Sequence, residues 1–331
     1  MTDSSAASGT TVTVPLDLRD CGQGVHAIDS GYFRPRLDAI HFIADAGEVA
    51  IVDTGTAHSV PRILQALGQL GHRPEAVRHV LLTHVHLDHA AGAGHLMQAL
   101  PEARLAVHSR GARHMADPAR LWAATIEVYG EAHVLRDYGA AQPIDAARID
   151  VVGEGAELAL GRRRIGVLDV PGHARHHLAF SDSSSGMIFT GDVFGLSYRE
   201  LDTDGQAFII PTTSPSQFEP DAAHDSVDRI LALRPRALCL THYSQVFDVP
   251  RLGAMMHRLL DAHVAVAERC RGMAPGGDRD ARLLAGIREA VIAEAREAGV
   301  HHAPDRIDAV LGLDMGLNAQ GLGIWLDTPP R

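Results

Sequence analysis

The chain has 331 residues, 46% of them hydrophobic, and a formal net charge of -11. That length suits one large α/β domain with an appendage, and the acidic balance argues against a nucleic-acid polyanion as substrate. All 30 basic residues are Arg, which excludes chemistry that needs a lysine, such as a Schiff base or a phosphate-cradling P-loop.

Met1 to Gly9 is small and polar, with no basic n-region and no apolar h-region. Residues 1–10 read as a disordered tail. No stretch reaches the roughly 18 apolar residues of a membrane span. Cys21, Cys239 and Cys270 are odd in number and far apart, so they form no disulfide framework. A reducing compartment follows, and we expect a cytoplasmic protein with no membrane contact.

From Thr11 the pattern turns to short strands. Ala39 to Ala44 and Glu48 to Val52 flank the turn triplet Asp45-Ala46-Gly47, which predicts a hairpin ending in Asp53-Thr54-Gly55. Ser59-Val60-Pro61 starts a helix carrying Val60, Ile63, Leu64, Leu67 and Leu70 at helical spacing. His79-Val80-Leu81-Leu82 is an apolar strand. Ala90 to Leu100 reads as a helix, Leu105-Ala106-Val107 as a strand, and Asp117-Pro118 opens a helix with Leu121, Trp122, Ile126 and Val128. This βαβα rhythm predicts a layered α/β half. Near Ile144 it gives way to short strands around Ile149-Val152, Leu158-Leu160, Ile165-Leu168, Leu178-Phe180 and Met187-Phe189. A helix with Val227, Ile230, Leu231 and Leu233 and a strand at Ala237 to Leu240 close this second half. Beyond Pro250 the composition is helical. Leu252 to Arg271 and Asp280 to Ala298 read as two long helices, with Asp280 suited to an N-cap, and Asp305 to Asp327 as a shorter tail. We therefore divide the chain into the tail, a domain at 11–249 and a helical extension at 250–331 that caps it or forms a homodimer contact.

The stretch from Thr83 to His89 stands out. His84, His86, Asp88 and His89 lie within six residues, directly after the strand at His79 to Leu82. In extended backbone alternate side chains share a face, so His84 and His86 can meet one ion. Asp88 and His89 fall past the strand and can turn towards a second point. Imidazole with carboxylate suits zinc, and also iron or manganese.

Thr83 to His89 resembles the H-x-H-x-D-H signature of the metallo-β-lactamase superfamily. Pro171-Gly172-His173-Ala174-Arg175-His176-His177 is similar to that family's P-G-H-x-x-x-H segment, Thr190-Gly191-Asp192 to its T-G-D, and Thr241-His242 to its last ligand. The resemblance covers about residues 36 to 245. It implies an αββα sandwich and two divalent metal ions, zinc in the first instance. His84, His86 and His173 would hold one ion and Asp88, His89 and His242 the other, with Asp192 shared. His177 would be a supporting residue, His176 a surface or outer residue, and Asp53 near the ions without ligating. Asp88 and Asp192 would carry catalysis, the first by orienting a metal-bridging hydroxide.

The implied activity is hydrolysis of a small-molecule ester, lactone or thioester. A bridging Asp192 argues against β-lactamase activity, since those branches usually place Cys or Ser there. The neutral segment after Asp192 supplies Phe194, Tyr198 and Phe208, and Tyr243 adjoins His242; these four are expected to line an apolar mouth for an acyl tail. Two alternatives stand beside this: a mononuclear iron enzyme like the persulfide dioxygenases, and a non-catalytic metal-binding regulator on the same fold.

Overall fold

A computed structural model describes residues 16–213 and 217–328, so the expected tail at residues 1–10 lies outside it, as does part of the segment Pro211 to Pro215. Two sheets stack face to face. The first runs in the order β1 (Leu18–Gly22), β2 (Val25–Asp29), β3 (Ala39–Asp45), β4 (Glu48–Val52), β5 (Val77–Leu81), β6 (Arg104–His108) and β7 (Ile149–Val152). The second holds β8 (Glu157–Leu160), β9 (Arg163–Asp169), β10 (Leu178–Asp182), β11 (Met187–Gly191), β12 (Ala237–Leu240) and β13 (Ser244–Val246), in the order β13-β12-β11-β10-β9-β8. Ile149 to Val152, expected in the second half, instead closes the first sheet by pairing parallel to β6.

The alternation of side chains explains the stacking. Along β3 and β4, Ile40, Phe42, Val49 and Ile51 face the outer helices, whereas Ile43, Ala50 and Val52 face the other sheet. Along β11 and β12, Met187, Phe189, Ala237 and Cys239 face inward, and Ile188, Leu238 and Leu240 face outward. Both faces of each central strand are thus apolar, as a covered sheet requires. Burial of each such large side chain contributes about 1.5–3 kcal/mol. Phe180 and Phe189, fully buried between the sheets, would each cost about 3–5 kcal/mol on truncation to Ala.

Helices cover the outer faces. The first sheet carries α1 (Val60–Gln69), α2 (Leu87–Ala90), α3 (Ala93–Ala99), α4 (Ser109–Ala116), α5 (Ala119–Tyr129) and α6 (Glu131–Asp137) in its connections. The second is covered by α7 (Pro220–Ala232), α8 (Val249–Arg269), α9 (Gly277–Glu297) and α10 (Pro304–Asp327). Two expectations change here. Asp305 to Asp327 is no short tail but a 24-residue helix, the longest described. Its weak amphipathicity has a cause: Ile307, Val310, Leu311, Met315, Ala319 and Leu322 are all buried, so apolar residues occupy much of its circumference. Asp280 lies inside α9, whose N-cap is Gly276. The three cysteines are free. Among the described residues, no helix is long and apolar enough to cross a membrane.

Because β4 and β5 run parallel, as do β11 and β12, their carboxyl ends gather at one rim of the sandwich. In α/β sheets that rim is where loops converge on ligands. The sheets are tied together there by main-chain hydrogen bonds from Leu178 N–H to Thr83 O (2.7 Å) and from Ala39 N–H to Thr241 O (2.7 Å).

Candidate metal centre

The loops at that rim bring together all seven side chains singled out in the sequence. His84 and His86 follow β5 with Val85 between them turned into the apolar layer beneath the helices. Asp88 and His89 lie within the single-turn helix α2, which starts at Leu87, three residues before the expected helix start at Ala90, and His86 is its N-cap. His173 follows β9, Asp192 follows β11 and His242 follows β12.

The donor atoms form two groups. In the first, His84 Nε2 and His173 Nε2 lie 2.8 and 3.0 Å from His86 Nδ1. In the second, Asp88 Oδ2 lies 3.5 Å from His89 Nε2 and 3.7 Å from His242 Nε2. Asp192 stands between them. Its Oδ1 faces His89 Nε2 (3.2 Å) and His242 Nε2 (3.4 Å), and its Oδ2 faces His173 Nε2 (3.5 Å). Within each of three overlapping triplets, His84/His86/His173, His84/His89/Asp192 and Asp88/His89/His242, the donor atoms all lie within 4.8 Å of one another. A tetrahedral zinc with bonds of about 2.0–2.3 Å sets its donors roughly 3.3–3.8 Å apart.

Buried polar atoms test whether an ion fits. His89 Nε2 and Asp192 Oδ1 are buried and make no hydrogen bond. An orphaned donor or acceptor of this kind costs about 1–3 kcal/mol, and a cation between them satisfies both. The opposite ring nitrogens are already engaged. His89 Nδ1 meets Asp53 Oδ2 at 2.9 Å, His173 Nδ1 meets Thr212 O at 3.2 Å, and His242 Nδ1 meets Leu37 O at 3.3 Å and Asp38 Oδ1 at 2.8 Å. Such partners fix the ring and leave its other nitrogen free for a metal. The residues present fit the binding of divalent metal.

Asp53 emerges as the organising residue of the second group. It accepts from Thr83 N–H (2.9 Å), Thr83 Oγ1 (2.9 Å) and Thr241 Oγ1 (2.9 Å) besides His89. Its φ of +57° turns it back beneath the cluster, a conformation that Asp tolerates better than most residues. Gly191 is needed beside it: at φ +51° a Cβ would stand 2.7 Å from Thr83 Oγ1 and 2.8 Å from His177 Nε2.

The two groups differ in charge. Burial pulls the His84 imidazole far below its usual range and, with the neighbouring His173, holds His86 at about 3. Burial also lowers His173. These three rings are neutral near pH 7. Burial pulls His89 and His242 down as well, but Asp88, Asp192 and Asp53 around the first, and Asp192 and Asp38 around the second, overcome it and raise both well above 6.5. Burial raises the Asp192 carboxyl, yet the surrounding histidines, His242 first, hold it low.

The histidines after His173 behave differently from one another. His177 is fully buried and accepts from Asp192 N–H at 3.1 Å, so it steadies the Asp192 loop. His176 is not a surface residue. It is 9% exposed, with its ring 6.1 Å from His84 and 5.9 Å from His86, while Arg175 before it pairs with Glu219 at 2.7 Å.

The expected aromatic mouth is absent among the described residues. Phe194, Tyr198, Phe208 and Tyr243 are at most 2% exposed and belong to the core beneath α7 to α10. A neutral, aromatic segment reads the same way whether it faces a ligand or a helical cap, and here the cap takes it. What sequence reasoning missed is a tyrosine pair. Tyr32, on the β2–β3 loop, donates to the Tyr138 hydroxyl at 2.9 Å, and their rings stack at 5.5 Å. Burial, then the nearby Asp88 carboxylate, raises both phenols, Tyr138 to about 12. Neither tyrosine lies near a motif in sequence. Only the fold joins them. A cavity of about 850 Å³ lies behind that loop, lined in part by Arg34, Arg36 and Arg62. These pair with Glu200 (2.9 Å), Asp17 (2.7 Å) and Asp29 (3.7 Å), and none of the seven donors lines it.

Known proteins resemble this chain in sequence and in fold. The chain is 24% identical over 224 residues to the metallo-beta-lactamase fold-containing protein ST1585 of Sulfurisphaera tokodaii, covering 66% of this chain and 78% of that one. The crystal structure of ST1585 superposes with a TM-score of 0.57 at 21% identity, over 83% of this chain and 99% of that one, a likeness of fold. A hydroxyacylglutathione hydrolase of Fuscovulum blasticum is 36% identical over 149 residues, 45% of this chain and 44% of that protein. The human acyl-coenzyme A thioesterase MBLAC2 is 26% identical over 189 residues, 53% and 65% of the two chains. This chain therefore spans less than two thirds of either of those two proteins. The family model described as the metallo-beta-lactamase superfamily matches residues 36–242, a span that opens just before Asp38 and closes on His242, and on that match the chain belongs to this superfamily.

Proposed function

We propose that this protein is a dinuclear metal-dependent hydrolase of a small-molecule thioester or ester. The single observation that carries the proposal is the Asp192 carboxylate, with one oxygen towards each donor group. His84, His86 and His173 would hold one ion, Asp88, His89 and His242 the other, and Asp192 both. When bound, such ions acidify water and polarise a carbonyl oxygen.

The protein's own residues supply the rest. Asp88 is the carboxylate of the cluster most open to solvent, at 27% side-chain exposure. His89 and His242, against the pull of burial, keep it ionised. It can accept a hydrogen bond from the attacking water and orient it. Tyr32 and Tyr138 have two hydroxyl protons between them, and their mutual hydrogen bond uses one. The other is available to the substrate carbonyl or leaving group beside Asp88. Asp53, Thr212, Leu37 and Asp38 keep the rings oriented throughout the cycle.

The relatives named as a hydroxyacylglutathione hydrolase and an acyl-coenzyme A thioesterase support a thioester ahead of a lactone. The arginines in the cavity near Tyr32 are paired with carboxylates, so the substrate's grip on the protein is expected to come from its acyl part. The test is metal analysis of the purified protein, followed by a hydrolysis screen of acyl thioesters, aryl esters, lactones and β-lactams. We expect two ions per chain and thioesters as the fastest substrates. One ion per chain, or β-lactams as the best substrates, would overturn the reading.

A further inference from the structure

We propose that Asn318, in the C-terminal helix α10, is a positioning residue for the metal ions, so that the helical extension is part of the metal centre's frame. The inference rests on the metal assignment above but concerns a residue 76 positions beyond the end of the family match at His242.

The geometry is compact. Thr212 touches two of the assigned ligands at once. Its carbonyl oxygen meets His173 Nδ1 at 3.2 Å, and its hydroxyl donates to the Asp192 carbonyl at 2.8 Å. One residue thereby sets both the ring of a first-group ligand and the loop of the shared carboxylate. Thr212 is held on both flanks by Asn318. Asn318 Nδ2 donates to Pro211 O at 2.8 Å, and Asn318 Oδ1 accepts from Thr213 N–H at 2.7 Å. The Thr213 hydroxyl donates to the main-chain carbonyl of Asn318 at 3.0 Å.

Asn318 is only 1% exposed. A buried amide is expensive unless its polar groups are satisfied, and here its donor and its acceptor both serve one three-residue loop segment. An apolar residue would fill this face of α10, as Met315, Ala319 and Leu322 do nearby. The amide is explained by what it holds. Asp314, one turn earlier, accepts from the Tyr198 hydroxyl at 3.1 Å, and Ser197, next to Tyr198, donates its N–H to His242 O at 2.6 Å. The same helix therefore braces the loops of the first group and of the second.

The experiment uses the full chain loaded with zinc and follows zinc transfer to a chromogenic chelator, with circular dichroism and thermal melting as controls. Removing an outer partner of a metal ligand typically weakens the metal about 10–100-fold. We expect Asn318→Ala to release at least one zinc about 10-fold or more faster than wild type while folded. Met315→Ala, a buried apolar change on the same helix, should lower the melting temperature without changing release from the folded protein. Should Asn318→Ala fail to fold, Asn318→Asp decides: it keeps the acceptor for Thr213 N–H and removes the donor to Pro211 O. Faster release from folded Asn318→Asp supports the proposal. Release at the wild-type rate from either folded variant overturns it, as does an equal acceleration in Met315→Ala. A wild-type protein that binds no zinc would instead overturn the metal assignment itself.

Discussion

The two donor groups sit side by side, yet they are built on opposite principles. His84 and His173 are buried rings whose far nitrogens meet a hydroxyl and a carbonyl, Thr83 Oγ1 for His84 and Thr212 O for His173, and the half-buried His86 stands between them. His89 and His242 are backed by carboxylates, Asp53 and Asp38, and face two more, Asp88 and Asp192. The first group is desolvated and neutral, so an ion finds its ligands ready. The second stores negative charge that the protein neutralises with protons until a cation takes their place. Similar ligands can thus differ in their coupling to pH, because the residues behind them differ.

Asp192 is the one residue the two groups share, and changing it should have the largest effect. Asn preserves size but is neutral, and its NH2 end donates where an ion needs an acceptor. Outer partners alone are worth about 10–100-fold, so loss of this direct contact should lower activity by more than about 100-fold and release at least one ion. Circular dichroism should be unchanged, since no core strand depends on that charge. Two retained ions with near-native turnover would remove Asp192 from the centre.

A titration should separate the groups. In the metal-free protein burial lowers His84 and His86 well below pH 6.5 and lowers His173 as well, whereas His89 and His242 remain protonated well above it. The sign follows directly. A ligand whose pKa is raised must lose a proton before it can bind, so metal affinity there rises with pH until the raised pKa is passed. Binding to the first group should release almost no protons at pH 7, and binding to the second up to about two. Calorimetry of zinc binding in buffers of different ionisation enthalpy measures this. Equal proton release for both ions would erase the distinction between the groups.

The backing carboxylate gives the next effect. Asp53→Asn keeps an acceptor for Thr83 but removes the charge behind His89. Zinc affinity of the second group should fall about 10–100-fold while that of the first stays within a few-fold. Stepwise competition with a chelator resolves the two. A loss confined to the first group would contradict the assignment of His89.

The contrast also governs what could be read without the fold. All seven donors were legible because each sits in a short motif in the loop or turn that follows a strand, where a few residues fix the local geometry. Asp53 was legible as a turn near the ions, but its grip on His89 depends on a positive φ and on Thr83 and Thr241 arriving from two other strands. Asn318 and the Tyr32–Tyr138 pair join positions more than a hundred residues apart and leave no local pattern. The aromatic segment after Asp192 misled for a related reason. Phe194 and Phe208 are apolar enough for a substrate mouth or for a core, and whether α8 to α10 cover them is a fact of tertiary packing. The same packing hid the length of α10, because a helix buried on several sides loses its periodic signature.

His176 provides the smallest effect and the sharpest limit on the first group. Its ring lies beside His84 and His86, 6.1 and 5.9 Å between centroids, yet none of the three donor triplets includes it. Burial lowers its imidazole to about 4, so near pH 7 it is a neutral packing group. Its Nε2 is buried and unbonded. His176→Leu would remove that orphan and keep an apolar filling, so the two effects should nearly cancel, leaving stability within about 1 kcal/mol of wild type. Both ions should stay, and turnover should change only a few-fold through small shifts of the adjacent rings. His176→Ala should cost more stability than His176→Leu, because it opens a cavity beside the cluster. Thermal melting and metal analysis of the two variants together decide the matter. If His176→Leu loses an ion while His173→Leu retains both, His176 rather than His173 completes the first group.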